Sequence, residues 1–325
     1  MFQKNRKSII NLQNISILIL IIVSFFVLNF FTHDKVSSSN RLIQPIAVPE
    51  LLPTQLIIPY QIADKPLIYS KTAALVDADT KYILYDKNSS QRVPIASTTK
   101  LMTALVVMDN FKLEDVLTVG QKAASINGSQ LNLFEDEQMT VYDLLKGLLV
   151  VSGNDAAYTF AQNFKSTEGN GFDAFVTTMN KKAEDFNLQN THYLNPAGLD
   201  DEAYSSAFDL AVISAEFIKN PKLVEITKID EDQIFDISGK IKHTLKNSNR
   251  LVLPEEALYM PEAIGLKTGF TGEAGHCLVS AIDYKQKKLI SVILYTNEFT
   301  PSASAQESYK LLKWGKIQVD KITQN

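Results

Sequence analysis

Ser97 and Lys100 stand three residues apart in Pro94-Ile95-Ala96-Ser97-Thr98-Thr99-Lys100, just ahead of the apolar run Leu101-Met102-Thr103-Ala104-Leu105-Val106-Val107. On a helix that spacing puts both side chains on one face. A lysine on a helix with almost no polar residues loses hydration, which lowers its pKa. Such an amine beside a hydroxyl is a general base for a serine nucleophile, and a helix N-terminus favours a developing oxyanion. Taken alone the spacing is short and common, and a capping serine with a snorkelling lysine is the simpler reading. Two further polar groups bear on the choice: Ser152-Gly153-Asn154, and Lys267-Thr268-Gly269. Ser152 and Asn154 have a bland reading as loop and cap residues. Lys267 has one as an edge-strand charge that discourages aggregation.

The elements that must position these residues follow from patterning. Ala73 to Val76 and Lys81 to Tyr85 flank Asp77-Ala78-Asp79-Thr80 and predict a hairpin. The Ser97 helix is predicted to end near Asp109-Asn110. From Phe111 to Lys222 the signals are mainly helical. Thr140-Val141-Tyr142-Asp143 resembles a capping box, with Met139 and Leu144 as a hydrophobic staple. That helix breaks at Ser152-Gly153-Asn154, and another follows from Asp155 through Phe164. Helices are also predicted over Ala174 to Phe186 and Ser206 to Ile218, with a loop at Asn195 to Asp200. Strands return at Gln233 to Ile237, Gly265 to Thr268, Cys277 to Asp283 and Leu289 to Tyr295, before a last helix from Ser304 to Gln318. Strands at both ends with helices between predict an α/β (α+β) domain, in which an antiparallel sheet is shared by the two ends and the middle forms a helical lobe.

Three short elements thus occur in chain order, in helix, loop and strand settings. The chain resembles the penicillin-recognising serine enzymes, whose S-x-x-K, S-x-N and K-T-G elements meet in one cleft. It is more closely similar to the D-alanyl-D-alanine carboxypeptidases of the low-molecular-weight penicillin-binding type (serine peptidase S11). That likeness runs from about Lys71 to Lys316. It includes Leu148 to Ala157, Asn195-Pro196-Ala197-Gly198-Leu199, Ser205 to Ala211 and Gly265 to Thr271.

The resemblance implies a β-lactamase/DD-peptidase-like fold and a D-Ala-D-Ala carboxypeptidase acting on peptidoglycan stem peptides, with β-lactams as covalent inhibitors. It implies catalytic roles for Ser97 as nucleophile, Lys100 as base and Ser152 as proton relay. Asn154, Lys267, Thr268 and Gly269 would bind substrate. The backbone N–H groups of Ser97 and Phe270 would form the oxyanion hole. A substrate with a free carboxylate needs a fixed cation, which Lys267 and the Thr268 hydroxyl supply. A glycine at 269 lets a substrate backbone approach the strand edge. His192 and Asp209 are read as structural, and Arg250, in Asn249-Arg250-Leu251, as a surface residue. A DD-transpeptidase or endopeptidase would use the same residues. A serine β-lactamase is less favoured, because no Glu-bearing deacylation loop is evident near Glu184. A non-catalytic D-Ala-D-Ala binder need not keep nucleophile and base. Many carboxypeptidases of this kind also carry a second, β-rich domain and a C-terminal anchor; here the sequence stops at Asn325, just after the last expected helix, and the N-terminal apolar segment is expected to take over anchoring.

Composition narrows the alternatives. The 325 residues are 45% hydrophobic and 21% charged, as in ordinary globular chains. Net charge is -4 although Lys4, Arg6 and Lys7 are cationic, so the body is acidic and a nucleic-acid partner is not expected. Cys277 is the sole cysteine, set in an apolar run, and His33, His192, His243 and His276 lack metal-ligand spacing. No metal or cofactor is expected. Residues 1 to 33 read as a transmembrane anchor: a basic start, then Ile15 to Phe31 almost wholly apolar. That run is about 25 Å long as a helix, and Ile9, Ile10 and Leu12 extend it. The positive flank stays inside, which puts the rest outside the cytoplasm on a single-pass cell-membrane protein. Cleavage at Val36-Ser37-Ser38 would make it secreted. Residues 34 to 70, rich in proline, read as a tether, 71 to 318 as the catalytic domain and 319 to 325 as a tail.

Overall fold

The computed structural model describes residues 65–166, 170–296 and 300–323. The expected membrane anchor and most of the tether lie outside the described residues. Two strands, β1 (Thr72–Asp77) and β2 (Ile83–Lys87), form the hairpin. A 3₁₀ turn (Ala96–Thr99) leads into α1 (Lys100–Asn110). Then come β3 (Val116–Thr118), α2 (Gln121–Ala124), β4 (Gln138–Thr140), α3 (Val141–Val150), α4 (Asn154–Gln162), α5 (Gly171–Asp185), α6 (Ala207–Phe217) and α7 (Pro221–Thr227). The chain closes with β5 (Glu231–Phe235), β6 (Lys242–Lys246), β7 (Ala263–Thr271), β8 (Gly275–Tyr284), β9 (Lys287–Thr296) and α8 (Ala303–Thr323).

The main sheet has the order β2-β1-β9-β8-β7 and is antiparallel throughout. The two ends of the chain therefore share one sheet, as the strand pattern predicts. β1 is an interior strand and fully buried, which explains its unbroken Ala73-Ala74-Leu75-Val76 run. It pairs with β9 in the register Ala74↔Val292. α8 covers one face, where Leu311, Leu312 and Trp314 join Leu75, Leu289 and Ile293 in a core. Gly315 permits this close approach: a Cβ there would come within 2.8 Å of Leu75 and Leu289 side chains. The other face packs against α1, α6 and the helical lobe through a second core. β7 is an edge strand, so its outer side faces the cleft between sheet and lobe.

Local chemistry starts the lobe helices. The Thr140 hydroxyl accepts from the Asp143 N–H at 3.0 Å, and the Asp143 carboxylate accepts from that hydroxyl at 2.8 Å. Asn170 caps α5 and Ser206 caps α6 in the same way. Asn220 caps α7, with Pro221 at its first turn.

Three features differ from the sequence expectation. Ser97 lies in a 3₁₀ turn ahead of α1, whose first residue is Lys100. In that tighter winding positions i and i+3 eclipse, so the shared face is reached by another geometry. The short ribbons β3–β4 and β5–β6 are formed by strands of three and five residues that the chain's patterning only partly signals. The last helix runs to Thr323, beyond Gln318.

Candidate active site

Lys100 is fully buried at the start of α1, and its Nζ has three neighbours. It lies 2.8 Å from Ser97 Oγ, 2.8 Å from Asn154 Oδ1 and 2.7 Å from the Ala197 carbonyl. Burial lowers its pKa well below the ordinary value. The nearby Lys267 lowers it further, against an opposing pull from Asp155. A neutral amine has two N–H donors and one lone pair. The Asn154 and Ala197 oxygens are pure acceptors and take the two donors. The charged form donates to Ser97 Oγ, whereas in a neutral Lys100 the lone pair would then be left to the Ser97 O–H. That is the geometry of a base ready to withdraw a proton.

Each partner of Lys100 is held in turn. Asn154 begins α4; its Nδ2 donates to the Asn127 carbonyl at 2.7 Å, and its N–H to the Ser129 carbonyl at 2.7 Å. The Ala197 carbonyl is set by Asn195, whose Oδ1 accepts the N–H groups of Ala197, Gly198 and Leu199 at 3.0, 2.8 and 3.1 Å. Ser97 is held by a backbone bend. Ala96 has φ +47, in the left-handed region that costs a non-glycine residue about 1–3 kcal/mol. The bend is enclosed by two glycines. A Cβ on Gly198 would lie 2.0 Å from the Ala96 carbonyl oxygen. A Cβ on Gly269 would lie 3.1 Å from both the Ile95 oxygen and the Ser97 nitrogen. Gly269 thus lets β7 press against the turn that carries Ser97.

Lys267 is as buried as Lys100, on β7. Its Nζ donates to the Thr268 carbonyl at 3.0 Å and approaches the Thr268 hydroxyl at 3.4 Å. Burial pushes its pKa down to about 7. Among the described residues no carboxylate lies within ion-pair distance of either lysine. Thr268 Oγ1 also lies 2.6 Å from Ser248 Oγ, an exposed hydroxyl on the chain after β6. A buried Lys267 amine with hydroxyls beside it and no carboxylate partner is a site that favours an anionic group.

Ser152 sits between α3 and α4 with φ +67, buried, and its hydroxyl makes no hydrogen bond to Ser97, Lys100 or Lys267. Phe270 follows Gly269 on the edge strand. Its ring is 61% exposed and stacks on His276 with centroids 4.4 Å apart. Of the residues singled out in the sequence, Ser97, Lys100, Asn154, Lys267, Thr268 and Gly269 converge on one cleft, with Ser152 and Phe270 adjacent along the chain. The rest lie elsewhere. Asp209 accepts from the Asn190 N–H and the Thr191 hydroxyl. His192 bridges to Tyr204. Arg250 makes a two-pronged pair with Glu256 at 2.7 and 2.8 Å. The Cys277 thiol is buried and pushed up to about 12. No cluster of metal-ligating side chains occurs among the described residues.

Sequence reasoning did not find Asn195, Asp155 or Ser248. Asp155 is buried and accepts the Leu131 and Leu133 N–H groups at 3.1 and 3.2 Å, which ties the 127–133 loop to the start of α4. Asn195 and Asp155 lie in stretches the resemblance already covers, but their roles are bonds to main chain, which side-chain spacing does not disclose.

With this geometry in hand, similarity is informative. Residues 60–298 match the family described as D-alanyl-D-alanine carboxypeptidase, peptidase S11. The chain is 36% identical over 257 residues to D-alanyl-D-alanine carboxypeptidase DacF of Bacillus subtilis, covering 77% of this chain and 63% of that protein. It is 37% identical over 260 residues to DacA of Haemophilus influenzae, covering 77% and 62%. It therefore spans less than two thirds of the length of these two relatives. A D-alanyl-D-alanine endopeptidase of Pseudomonas aeruginosa is 32% identical over 76% of this chain and 78% of its own length. The crystal structure of a Streptomyces DD-transpeptidase superposes with a TM-score of 0.72 at 30% identity, covering 78% of this chain and 99% of that one.

Proposed function

The chain belongs to the D-alanyl-D-alanine carboxypeptidase family, and from that premise we propose that it is a serine-type D-Ala-D-Ala carboxypeptidase of peptidoglycan stem peptides. The observation that carries the reading is the fully buried Lys100 Nζ, 2.8 Å from Ser97 Oγ and lacking a carboxylate partner.

In this reading Ser97 Oγ attacks the carbonyl carbon between the two terminal D-alanines while its proton passes to Lys100 Nζ. The new oxyanion is met by the Ser97 and Phe270 N–H groups. The C–N bond then breaks. The leaving D-alanine amine takes a proton by way of Ser152, and the remaining peptide stays esterified to Ser97. That proton is the one Lys100 took from Ser97, so Lys100 is neutral again. Water gives a proton to the Lys100 amine and attacks the ester carbonyl, the C–O bond to Ser97 breaks, and Ser97 Oγ takes the proton back from Lys100. Asn154 holds the substrate amide. Lys267 and Thr268 hold the terminal carboxylate, which supplies the counter-charge the lysines lack. A β-lactam acylates Ser97 by ring opening and deacylates slowly, so it acts as a covalent inhibitor.

A second reading, transfer of the acyl group to an amine, is supported by the likeness to a transpeptidase and an endopeptidase. Incubation with a pentapeptide ending in D-Ala-D-Ala, with and without an added amine acceptor, separates the two. Release of D-alanine with a shortened peptide supports the carboxypeptidase. A joined product at the expense of the shortened one supports transfer. Neither product would remove both.

Residues 1 to 33, by their basic start and apolar run, are proposed to anchor the enzyme in the cell membrane with residues 71–318 outside the cytoplasm and 34–70 as a tether. Deleting 1 to 33 should move activity from the membrane to the soluble fraction; activity that stays with membranes refutes the anchor.

A further inference from the structure

Glu137 and His243 form a buried pair that the proposed chemistry does not use. His243, on β6, lies with Nε2 2.7 Å from Glu137 Oε1 and Nδ1 3.0 Å from the Leu131 carbonyl. The other Glu137 oxygen accepts the Phe134 N–H at 2.8 Å. A carbonyl can only accept, so Nδ1 carries a hydrogen and the pair shares its remaining proton between Nε2 and the carboxyl. Each of these side-chain atoms has a partner.

Leu131 lies in the loop that meets the start of α4. Its N–H is held by Asp155, its carbonyl by His243. Its side chain fills the space left by two glycines: a Cβ on Gly147 or Gly153 would lie 2.4 Å from its Cδ1. Earlier in the same loop, the Asn127 and Ser129 carbonyls seat the side chain and the N–H of Asn154, whose Oδ1 takes one donor of Lys100. Asn127, Ser129, Leu131 and Leu133 thus all bond to the start of α4, and Leu131 bonds to β6 as well. The path runs from Glu137 through His243 to the Leu131 carbonyl, back along the loop to the Ser129 and Asn127 carbonyls, and from these through Asn154 to Lys100.

We propose that His243, braced by Glu137, is a positioning residue for acyl transfer: by fixing the Leu131 carbonyl it fixes the loop that seats Asn154 and so aims Lys100 at Ser97. The inference rests on the acyl-transfer reading above. A displacement of about 1 Å at a reacting group costs up to about 100-fold in rate.

The pair makes an asymmetric prediction. In Glu137→Gln the amide N–H can donate to His243 Nε2 while its oxygen keeps the Phe134 N–H, so every bond survives with neutral groups. In His243→Gln one amide cannot reach both Glu137 and Leu131. The experiment uses the full chain, with penicillin acylation followed by intact mass, peptide turnover by D-alanine release, and thermal unfolding of each variant. His243→Gln and Glu137→Ala are expected to lower the acylation rate and kcat about 10-fold to 100-fold at temperatures where they are folded, with KM moved about twofold or less. Glu137→Gln is expected to stay within about twofold of the parent. A role in folding alone would lower the unfolding temperature and leave the acylation rate of folded protein unchanged; that result overturns the proposal. If His243→Gln and Glu137→Ala fail to fold, Glu137→Gln decides: a folded protein acylating more than about tenfold slower contradicts the hydrogen-bond account. Absence of an adduct in the parent removes the acyl-transfer reading and this proposal with it, whereas an adduct at equal rates in all variants removes the positioning role alone.

Discussion

Two sets of ionisable side chains are buried in this protein, and they are treated in opposite ways. Glu137 and His243 face each other with their remaining atoms bonded to main chain. Lys100 and Lys267 are just as buried, yet they meet carbonyls, hydroxyls and each other's field. Asp155, the acidic group that acts on Lys100, spends its oxygens on the N–H groups of Leu131, Leu133 and Ala156. The first arrangement is what a fold does with buried charge: pair it, and let the bonds fix a loop. The second leaves a cost uncompensated, which marks a place kept for chemistry.

The contrast can be broken by substitution. The largest effect is expected at the unpaired set. Ser97→Ala should abolish peptide turnover, and Lys100→Met should lower kcat/KM by about 1,000-fold or more. In both, unfolding temperature should hold or rise; a parallel fall in stability would mean these residues are structural after all. At the paired set the outcome inverts. Glu137→Ala leaves His243 without its partner and should destabilise the fold by about 3–5 kcal/mol, measured by denaturant unfolding. A loss under about 1 kcal/mol would erase the distinction.

Lys267 sharpens the comparison through pH. Its folded pKa of about 7 lies below the ordinary 10.5. Between these values the unfolded chain binds the extra proton, so this group makes stability rise with pH across that window, and its penalty is fully present below about 7. Lys267→Met should remove that slope and stabilise the protein by about 1–2 kcal/mol at neutral pH. The same titration predicts that KM for free-acid peptides rises as pH passes about 7, while amidated peptides, already poor ligands, change little. Equal pH dependence for both would refute the carboxylate clamp. The smallest effect belongs to Arg250, whose pair with Glu256 is partly exposed. Arg250→Ala should cost less than about 1 kcal/mol and leave KM unchanged; a large KM change would give it a substrate role.

Much of this was legible in the sequence, for a reason that the residues themselves supply. Ser97, Lys100, Asn154, Lys267 and Thr268 are proposed to act through side chains and stand at short local spacings, so their pattern survives in one dimension. The sheet shared by the two chain ends was legible because β1, β8 and β9 are buried strands with long apolar runs. What stayed hidden works through main chain or across long separations. The left-handed Ala96 is enclosed by Gly198 and Gly269, both more than a hundred residues away. Asn195 aims a carbonyl by holding three N–H groups. His243 reaches a loop more than a hundred residues earlier. None of these leaves a local period or motif. The 3₁₀ turn at Ser97 was hidden for a related reason: its apolar neighbours are equally at home in an α-helix.

The most direct test of the central claim, a Ser97 nucleophile served by a buried amine, is the intact mass of the full chain after incubation with a penicillin, with Ser97→Ala alongside. The account predicts a stable gain of one penicillin mass in the parent and none in the variant. An equal gain in both, or none in either with the drug intact, would contradict it.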